Sequence, residues 1–249
     1  MIQAILKNAN IKRILWVAAA ILIIICGMIA ALKNIGNGDD TESLPKSQLS
    51  TEQSTEATLP PIDKTQWNLI LVNKWNKLPD HYDVKVTYLD NGHAIDERAY
   101  PDLMNMLNDC RGEGLEPLIC SSYRTMEKQQ ELFSNKINEY LSYGYSQEQA
   151  EQKAGELVAI PGTSEHQLGL ALDIVDISYQ ILDEKQENTD VQKWLMNNSY
   201  KYGFILRYPT DKSSITGISY EPWHYRYVGK EAAKKIYESQ ICLEEYLDS

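Results

Sequence analysis

Two short stretches of the chain hold side chains that could bind one metal ion together. His166 precedes Asp173 by seven positions, and Glu221 precedes His224 by three. Two imidazoles and one carboxylate form the three-ligand shell of a catalytic zinc site, which leaves a fourth position open for water. A carboxylate beside such a site can move protons, and Glu221 is the candidate for this role. These residue types are typical of a catalytic zinc site, and they predict one Zn²⁺ ion per chain.

The spacing limits how His166 and Asp173 can meet. On one straight helix they would lie about 10.5 Å apart along the axis, which is too far for two ligands that each lie about 2 Å from one ion. Gly169 and the strand-like residues 170–175 permit a bend instead. Asp173 could then face a site while its two neighbours enter the core on the opposite face of the strand.

Glu221 and His224 would face opposite sides if both lay in one ideal strand. Pro222 interrupts that regularity, so we expect Glu221 in the loop before the strand that carries His224. Both side chains could then reach one cleft. Spacing alone leaves a structural interpretation open, in which these residues are hydrogen-bonded loop positions, Arg124 is a salt-bridged arginine and Trp223 belongs to the core.

The elements that must position these residues follow from the apolar pattern. Apolar runs or alternation predict strands over residues 68–73, 83–88, 118–120 and 170–175, and a hairpin of 204–208 with 223–228. Helical spacing predicts helices over 100–111, over 126–158 with a break near Gly144, and over 191–202 before Gly203. Strands and helices mix without regular βαβ alternation. We therefore expect an α+β domain with a mostly antiparallel central sheet flanked by helices.

An uncharged apolar run separates this domain from the N-terminus. Residues 14–32 would span about 28 Å as a helix, close to the hydrocarbon thickness of a bilayer. Basic residues precede the run and acidic residues follow it, which places the N-terminus in the cytoplasm. A cleaved secretory signal is the alternative, although no convincing small-residue cleavage site follows. A lipoprotein is disfavoured because Cys26 lacks small residues before it.

The predicted organisation is a cytoplasmic segment (1–13), a transmembrane anchor (14–32), a flexible stalk (33–61) and an extracellular domain (62–249). The stalk is rich in small and polar residues and cannot bury enough apolar surface to order itself. We expect a single-pass protein of the cell membrane. An exported domain permits disulfides, and the pairing of Cys110, Cys120 and Cys242 stays open, with Cys110–Cys120 as one possible bridge.

Composition excludes some partners. The 249 residues carry a formal net charge of −11, which argues against a nucleic-acid binder because such proteins present a basic field. The apolar fraction of 43% is enough for a packed core. We expect no nucleic-acid partner.

Four segments carry a resemblance to a known family. They are Ser121-Ser122-Tyr123-Arg124 with Gln129, the run 164–173, the run 202–209 and the run 221–227. Over about residues 66–247 the chain resembles the VanY-type zinc D,D-carboxypeptidases of the M15 peptidase family, which are relatives of the VanX dipeptidases. One departure is Ser122, where the family often has glycine.

The resemblance implies a role for each of these residues. His166, Asp173 and His224 would bind zinc, and Glu221 would be the catalytic base and acid. Arg124 would contact the substrate or the developing oxyanion and so act in both catalysis and binding. The remaining substrate-binding candidates are Gln129, Ser164 and Trp223.

The activity implied is removal of the terminal D-Ala from peptidoglycan stem peptides that end in D-Ala-D-Ala. Trimming these termini would remove the target of vancomycin-type antibiotics. An L,D-carboxypeptidase that acts on tetrapeptide stems with the same zinc machinery is one alternative. A wall-binding or sensory module without catalysis is another, and the presence of Glu221 argues against it.

Overall fold

The computed structural model describes residues 62–249. The predicted cytoplasmic segment, transmembrane anchor and stalk (1–13, 14–32 and 33–61) lie outside the described residues, so these expectations stay predictions. Between residues 62 and 249, no helix combines the length and the apolar character that crossing a bilayer requires.

Two antiparallel sheets form the β part of the domain. The small sheet pairs β1 (Val86–Tyr88) with β2 (Ala94–Asp96). The large sheet has the strand order β3-β4-β6-β5, and all three of its pairings are antiparallel. Its strands are β3 (Pro117–Ser121), β4 (Ala171–Asp176), β5 (Phe204–Leu206) and β6 (His224–Tyr227). The prediction of a mostly antiparallel sheet is confirmed.

The α part of residues 62–249 consists of seven α-helices and three 3₁₀ turns. The helices are α1 (Tyr100–Gly112), α2 (Met126–Ser142), α3 (Gln147–Leu157), α4 (Asp190–Asn198), α5 (Ser213–Thr216), α6 (Lys230–Ser239) and α7 (Leu243–Leu247). The 3₁₀ turns are Glu165–Leu168, Glu184–Asn188 and Ser199–Tyr202. The expected α+β class is therefore confirmed.

Local sequence signals fix where the helices begin and end. The helical stretch predicted over 126–158 is two helices, because α2 stops before Gly144 and Ser146 caps α3 with its side chain. Thr189 caps α4 in the same way. The predicted helix over 191–202 finishes as a 3₁₀ turn, and Gly203 ends it with a left-handed φ of +86°.

The predicted strand over 68–73 is wrong. Leu69 and Val72 are buried as expected for an apolar run, but the backbone finds other partners. The carbonyl oxygens of Asn68 and Ile70 accept hydrogen bonds from Nη2 of Arg226, at 3.1 and 2.9 Å. The buried guanidinium thus satisfies backbone carbonyl groups that a neighbouring strand would otherwise bind. The strand predicted over 83–88 is shortened to β1.

The main core lies between the large sheet and the helices α1 and α4. Leu172 and Ile174 of β4 pack there with Leu103 of α1 and Leu195 of α4, and all four are fully buried. Burying one such side chain contributes about 1.5–3 kcal/mol. A second apolar cluster joins α6 and α7 to the edge of the sheet. The central strands β4 and β6 are thereby held rigidly.

Cys110, Cys120 and Cys242 are free thiols. The Cys110–Cys120 bridge that the sequence left open is not formed. The thiol of Cys120 instead donates to the backbone carbonyl of Asp173, at 3.4 Å.

Candidate active site

The centre of the site is a pair of cross-strand neighbours in the large sheet. Asp173 on β4 lies directly opposite His224 on β6. Opposite residues on antiparallel strands have neighbouring side chains on the same face, so sheet register alone brings these two together although 51 positions separate them. Nδ1 of His224 lies 3.0 Å from Oδ1 of Asp173.

His166 reaches the same point through the bend predicted at Gly169. It lies in the 3₁₀ turn Glu165–Leu168, which ends at Gly169 with a φ of +71°. A Cβ at this position would lie 3.2 Å from Cγ2 of Val84 and 3.3 Å from the backbone nitrogen of Asp96, so a larger residue would be crowded there as well as strained by the positive φ. The turn places Nε2 of His166 3.4 Å from Oδ2 of Asp173.

His166, Asp173 and His224 together form a buried cluster with the donors of a metal site. One ligand atom from each lies within 4.8 Å of the others, and each residue is only 4% exposed. Nδ1 of His166 lies 2.9 Å from the carbonyl oxygen of Ser122. A carbonyl only accepts, so Nδ1 carries the proton and Nε2 offers its lone pair. Imidazole and carboxylate donors at these distances fit a zinc ion.

The electrostatics of the cluster differ between the two histidines. Burial and the charge of Arg124 lower the pKa of His166 to about 4. Burial also opposes protonation of His224, but the carboxylates of Asp173 and Glu165 outweigh it and raise the pKa of His224 to about 9. Burial disfavours the charge on Asp173 as well, yet the two imidazoles hold its pKa well below the usual range. Asp173 is therefore an anion at neutral pH.

Glu221 lies in the loop before β6, as predicted. Its backbone nitrogen donates to the carbonyl oxygen of Tyr208 at 3.2 Å, which ties the loop to the end of β5. Its Oε2 lies 3.7 Å from Nδ1 of His224. Burial raises the pKa of Glu221 to about 7, the range in which a carboxyl group can both accept and release protons at neutral pH.

Arg124 borders the cluster from the end of β3. Its backbone nitrogen donates to the carbonyl oxygen of His166 at 3.1 Å, and its Nη2 lies 3.4 Å from Oδ2 of Asp173. Ser121 holds the guanidinium by accepting from Nε and Nη2, at 3.2 and 2.7 Å. A fixed, partly exposed guanidinium beside the cluster is able to bind an anion.

Gln129 supports Arg124 from behind. It is fully buried on α2, its Oε1 accepts from Nη1 of Arg124 at 3.2 Å, and its Nε2 donates to the carbonyl oxygen of Ala159 at 2.7 Å. The direct substrate contact predicted for Gln129 would require it to leave these partners, and it stays a prediction.

Ser164 lies two positions before His166, and Trp223 directly precedes His224. Ser164 is buried, at 4% exposure. Trp223 is partly buried, and its carbonyl oxygen accepts from the backbone nitrogen of Ile174 at 2.9 Å. Their predicted contacts with substrate stay predictions.

The family described as VanY, D-alanyl-D-alanine carboxypeptidase, matches residues 92–230. This match covers more than half of the chain and includes the whole cluster, Arg124 and Glu221. The chain belongs to the VanY family.

Proteins similar to this VanY-family chain agree with that assignment. A D-alanyl-D-alanine carboxypeptidase of Enterococcus faecalis is 50% identical over 187 residues, which are 75% of this chain and 68% of that protein. The solved structure of a vancomycin resistance D,D-pentapeptidase VanY mutant with Zn(II) is 51% identical, with a TM-score of 0.66, and covers 73% of this chain and 99% of that one. The solved LdcB LD-carboxypeptidase is 40% identical, with a TM-score of 0.62, over 72% and 85% of the two chains.

This VanY-family chain is a zinc-dependent metallo-carboxypeptidase, a hydrolase. The solved VanY relative contains Zn(II), and the cluster of His166, Asp173 and His224 offers one ligand atom from each residue. The predicted cofactor is confirmed.

No prediction from the sequence covered the buried polar network behind His224. Glu165 contacts Arg207 and Arg226, and the three side chains are fully buried. A signal was present, because Arg207 and Arg226 each interrupt an apolar or aromatic strand segment. An arginine in a buried strand requires an acidic partner.

Proposed function

We propose that this chain removes the terminal D-Ala from peptidoglycan stem peptides ending in D-Ala-D-Ala, and that it thereby contributes to resistance against vancomycin-type antibiotics. The observation that carries the proposal is the position of the Glu221 carboxyl group, 3.7 Å from Nδ1 of His224. It puts a proton acceptor at the edge of the metal cluster. The relatives named for this activity support the choice of substrate.

The proposed ligands of the zinc ion are His166, Asp173 and His224. A bound zinc ion supplies a Lewis acid that polarises a carbonyl oxygen and lowers the pKa of a water molecule toward about 7. The protein residues supply the rest of the chemistry.

Glu221 is the proposed general base and acid. With a pKa near 7, its carboxylate accepts a proton from the attacking water and later passes it to the amine of the leaving D-Ala. Because Glu221 lies beside the cluster on a loop tied to Tyr208, the carboxylate is held in place before the substrate arrives.

Arg124 is the proposed binding group for the substrate. Its guanidinium fork matches a carboxylate or a developing oxyanion, and Ser121 already fixes its orientation. We propose that Ser164 and Trp223 line the same cleft, and that Gln129 acts next to Arg124 as a further substrate-binding residue.

Amino-acid release from defined stem peptides tests the proposed function. Purified protein should release D-Ala from a pentapeptide ending in D-Ala-D-Ala, and a chelator should stop the reaction until zinc is restored. Glu221→Ala should reduce turnover by at least about a hundredfold, the range of a lost general base, while zinc stays bound. A fully active Glu221→Ala variant would contradict the role of Glu221.

A second candidate is L,D-carboxypeptidase activity on tetrapeptide stems. The 40% identity to LdcB favours it, because the zinc machinery would be shared. Comparing release rates from pentapeptide and tetrapeptide separates the two activities, and a preference for the tetrapeptide would replace the first candidate. A wall-binding module without catalysis is set aside, because the chain belongs to an enzyme family and keeps Glu221.

We also propose that residues 14–32 anchor the protein in the cell membrane with the enzyme domain outside. The support is the sequence pattern of basic residues before the apolar run and acidic residues after it. Protease added to intact cells should then degrade the domain, and recovery of the whole protein in the cytosolic fraction would refute the proposal.

A further inference from the structure

A second buried carboxylate lies beside the metal cluster, and the proposed mechanism does not use it. Glu165 directly precedes His166 in the 3₁₀ turn, and its side chain is 0% exposed. A carboxylate in such a place requires compensation, because burying an isolated charge is costly. Its partners therefore indicate what it is for.

One oxygen of Glu165 is held by two buried arginines. Oε1 accepts from Nε of Arg207 at 2.7 Å and from Nη1 of Arg226 at 2.9 Å. Arg207 also makes a bidentate pair with Glu244 of α7, at 2.8 and 2.7 Å. The two arginines keep Glu165 ionised and hold its carboxylate in one orientation.

The other oxygen of Glu165 points at the metal cluster. Oε2 lies 3.5 Å from Nε2 of His224, and neither atom has a hydrogen-bond partner elsewhere in the described part of the chain. On its opposite side, the ring of His224 presents Nδ1 to Asp173 and Glu221. The imidazole thus lies between the Glu165 carboxylate and the metal cluster.

The tautomer of His224 follows from this arrangement. An ionised carboxylate can only accept a hydrogen bond, so it favours a proton on Nε2. The neutral ring then has its lone pair on Nδ1, the nitrogen that faces the cluster. A carboxylate behind a ligand histidine raises the basicity of the ligand and fixes its ring plane.

We infer that Glu165 is a positioning residue of the metal centre, which holds His224 as the Nδ1-binding tautomer and is itself fixed by Arg207 and Arg226. The inference rests on the proposed role of His224 as a zinc ligand. The competing explanation is that Glu165 only offsets the charge of the two arginines. That explanation predicts no particular effect on zinc binding.

Glu244 provides a matched control. Glu165→Gln and Glu244→Gln each remove one negative charge from the surroundings of Arg207, but only Glu165 contacts His224. Zinc affinity of the purified full chain is measured by competition with a chromophoric chelator. Glu165→Gln should weaken zinc binding by 10-fold or more, in the range of about 10–100-fold for such partners, whereas Glu244→Gln should stay within about threefold. Equal effects, or unchanged affinity in Glu165→Gln, would overturn the inference.

Two further measurements keep the test decisive if Glu165→Gln does not fold. Glu165→Asp keeps the charge beside the arginines but withdraws the carboxylate from His224, so it should fold and still bind zinc more weakly. Wild-type affinity in a folded Glu165→Asp variant would contradict the inference. Histidine ¹⁵N spectra of the zinc-loaded wild type should show a protonated Nε2 on His224, and a protonated Nδ1 would overturn it.

His224→Ala separates this inference from the proposed function. Unchanged zinc affinity in that variant would remove His224 from the ligand set, and the proposed function would fail with it. A second outcome would refute only the role of Glu165 and leave the proposed function in place. In that outcome His224→Ala weakens zinc binding, while Glu165→Gln and Glu244→Gln change zinc affinity equally.

Discussion

The orientation of Arg124 depends on a residue that the solvent cannot reach. Gln129 bridges the guanidinium and the carbonyl oxygen of Ala159 by hydrogen bonds. The loop after α3 therefore helps to position Arg124 at the edge of the metal cluster. Truncating Gln129 would remove a hydrogen-bond partner from the partly buried Arg124 guanidinium and from the partly buried Ala159 carbonyl, and hydrogen bonds to charged groups contribute about 1.5–3 kcal/mol.

Gln129→Ala should therefore lower kcat/KM for the stem peptide by about tenfold, which corresponds to ~1.4 kcal/mol. Gln130→Ala is the control, because Gln130 is the exposed neighbour on α2 and its side-chain amide donates to Oγ of Ser134 rather than to Arg124. Steady-state kinetics on both variants checks the prediction. A folded Gln129→Ala variant with wild-type kcat/KM would show that Arg124 needs no such support.

Zinc binding should release a proton from His224. In the metal-free protein the pKa of His224 is about 9, so the ring is protonated at lower pH and zinc must displace that proton. His166, with a pKa of about 4, is already neutral. Zinc affinity should thus fall about tenfold per unit as the pH drops from 9 to 7.5. Calorimetry in two buffers measures the released proton, and its absence at pH 8 would contradict the prediction.

Residue types and spacing suggested the group His166, Asp173 and His224, because few side chains can bind zinc and the chain has only four histidines. Their assignment as zinc ligands came from the family resemblance, and it stays a prediction. Glu165 could not be assigned in the same way. An acidic residue in a loop is ordinarily solvated, and its burial depends on Arg207, which lies 42 positions away.

The ends of individual helices depend on glycines, and these glycines differ in how closely other atoms pack around them. Gly203 and Gly144 both have left-handed φ values, of +86° and +87°. A Cβ on Gly203 would lie 2.8 Å from Cε2 of Tyr227, whereas one on Gly144 would have no neighbour within 4 Å. The turn at Gly203 therefore requires glycine for two reasons, the left-handed backbone and the lack of space for a side chain.

Gly203→Ala should lower the free energy of unfolding more than Gly144→Ala does. Each variant has about 1–2 kcal/mol of backbone strain, and Gly203→Ala adds about 1–3 kcal/mol of overpacking against Tyr227. Urea unfolding followed by circular dichroism measures the difference. Equal losses in the two variants would mean that Tyr227 moves aside without cost.

Local signals predicted the helices better than the strands. Caps and glycines mark helix ends within a few residues, as at Ser146 and Gly203. The apolar run 68–73 looked like a strand because Leu69 and Val72 are buried. Its backbone is instead bound by Arg226, whose side chain arrives from a distant part of the chain.

The whole domain must fold before the metal cluster exists. The α+β class could be predicted from the mixture of element types. The strand order β3-β4-β6-β5 could not, because pairing β4 with β6 depends on tertiary packing between segments about fifty positions apart. The unfolded chain therefore has no preformed zinc site.

Zinc should stabilise the folded domain by mass action. At a free zinc concentration of 100 times Kd the gain is about 2.7 kcal/mol for a ligand that binds only the folded state. Urea unfolding with zinc and with a chelator measures it. His224→Ala should lose most of this difference, and an identical zinc effect in that variant would place the ion elsewhere.

The ion pair between Arg207 and Glu244 also has a consequence for the synthesis of the protein. Glu244 lies 37 positions after Arg207 in the chain, so a ribosome synthesises the residue that completes the buried network after the histidines and Asp173. A nascent chain that already contains every metal-binding side chain still lacks one of the two anions that neutralise Arg207. The buried network behind His224 is therefore complete only once Glu244 has been synthesised.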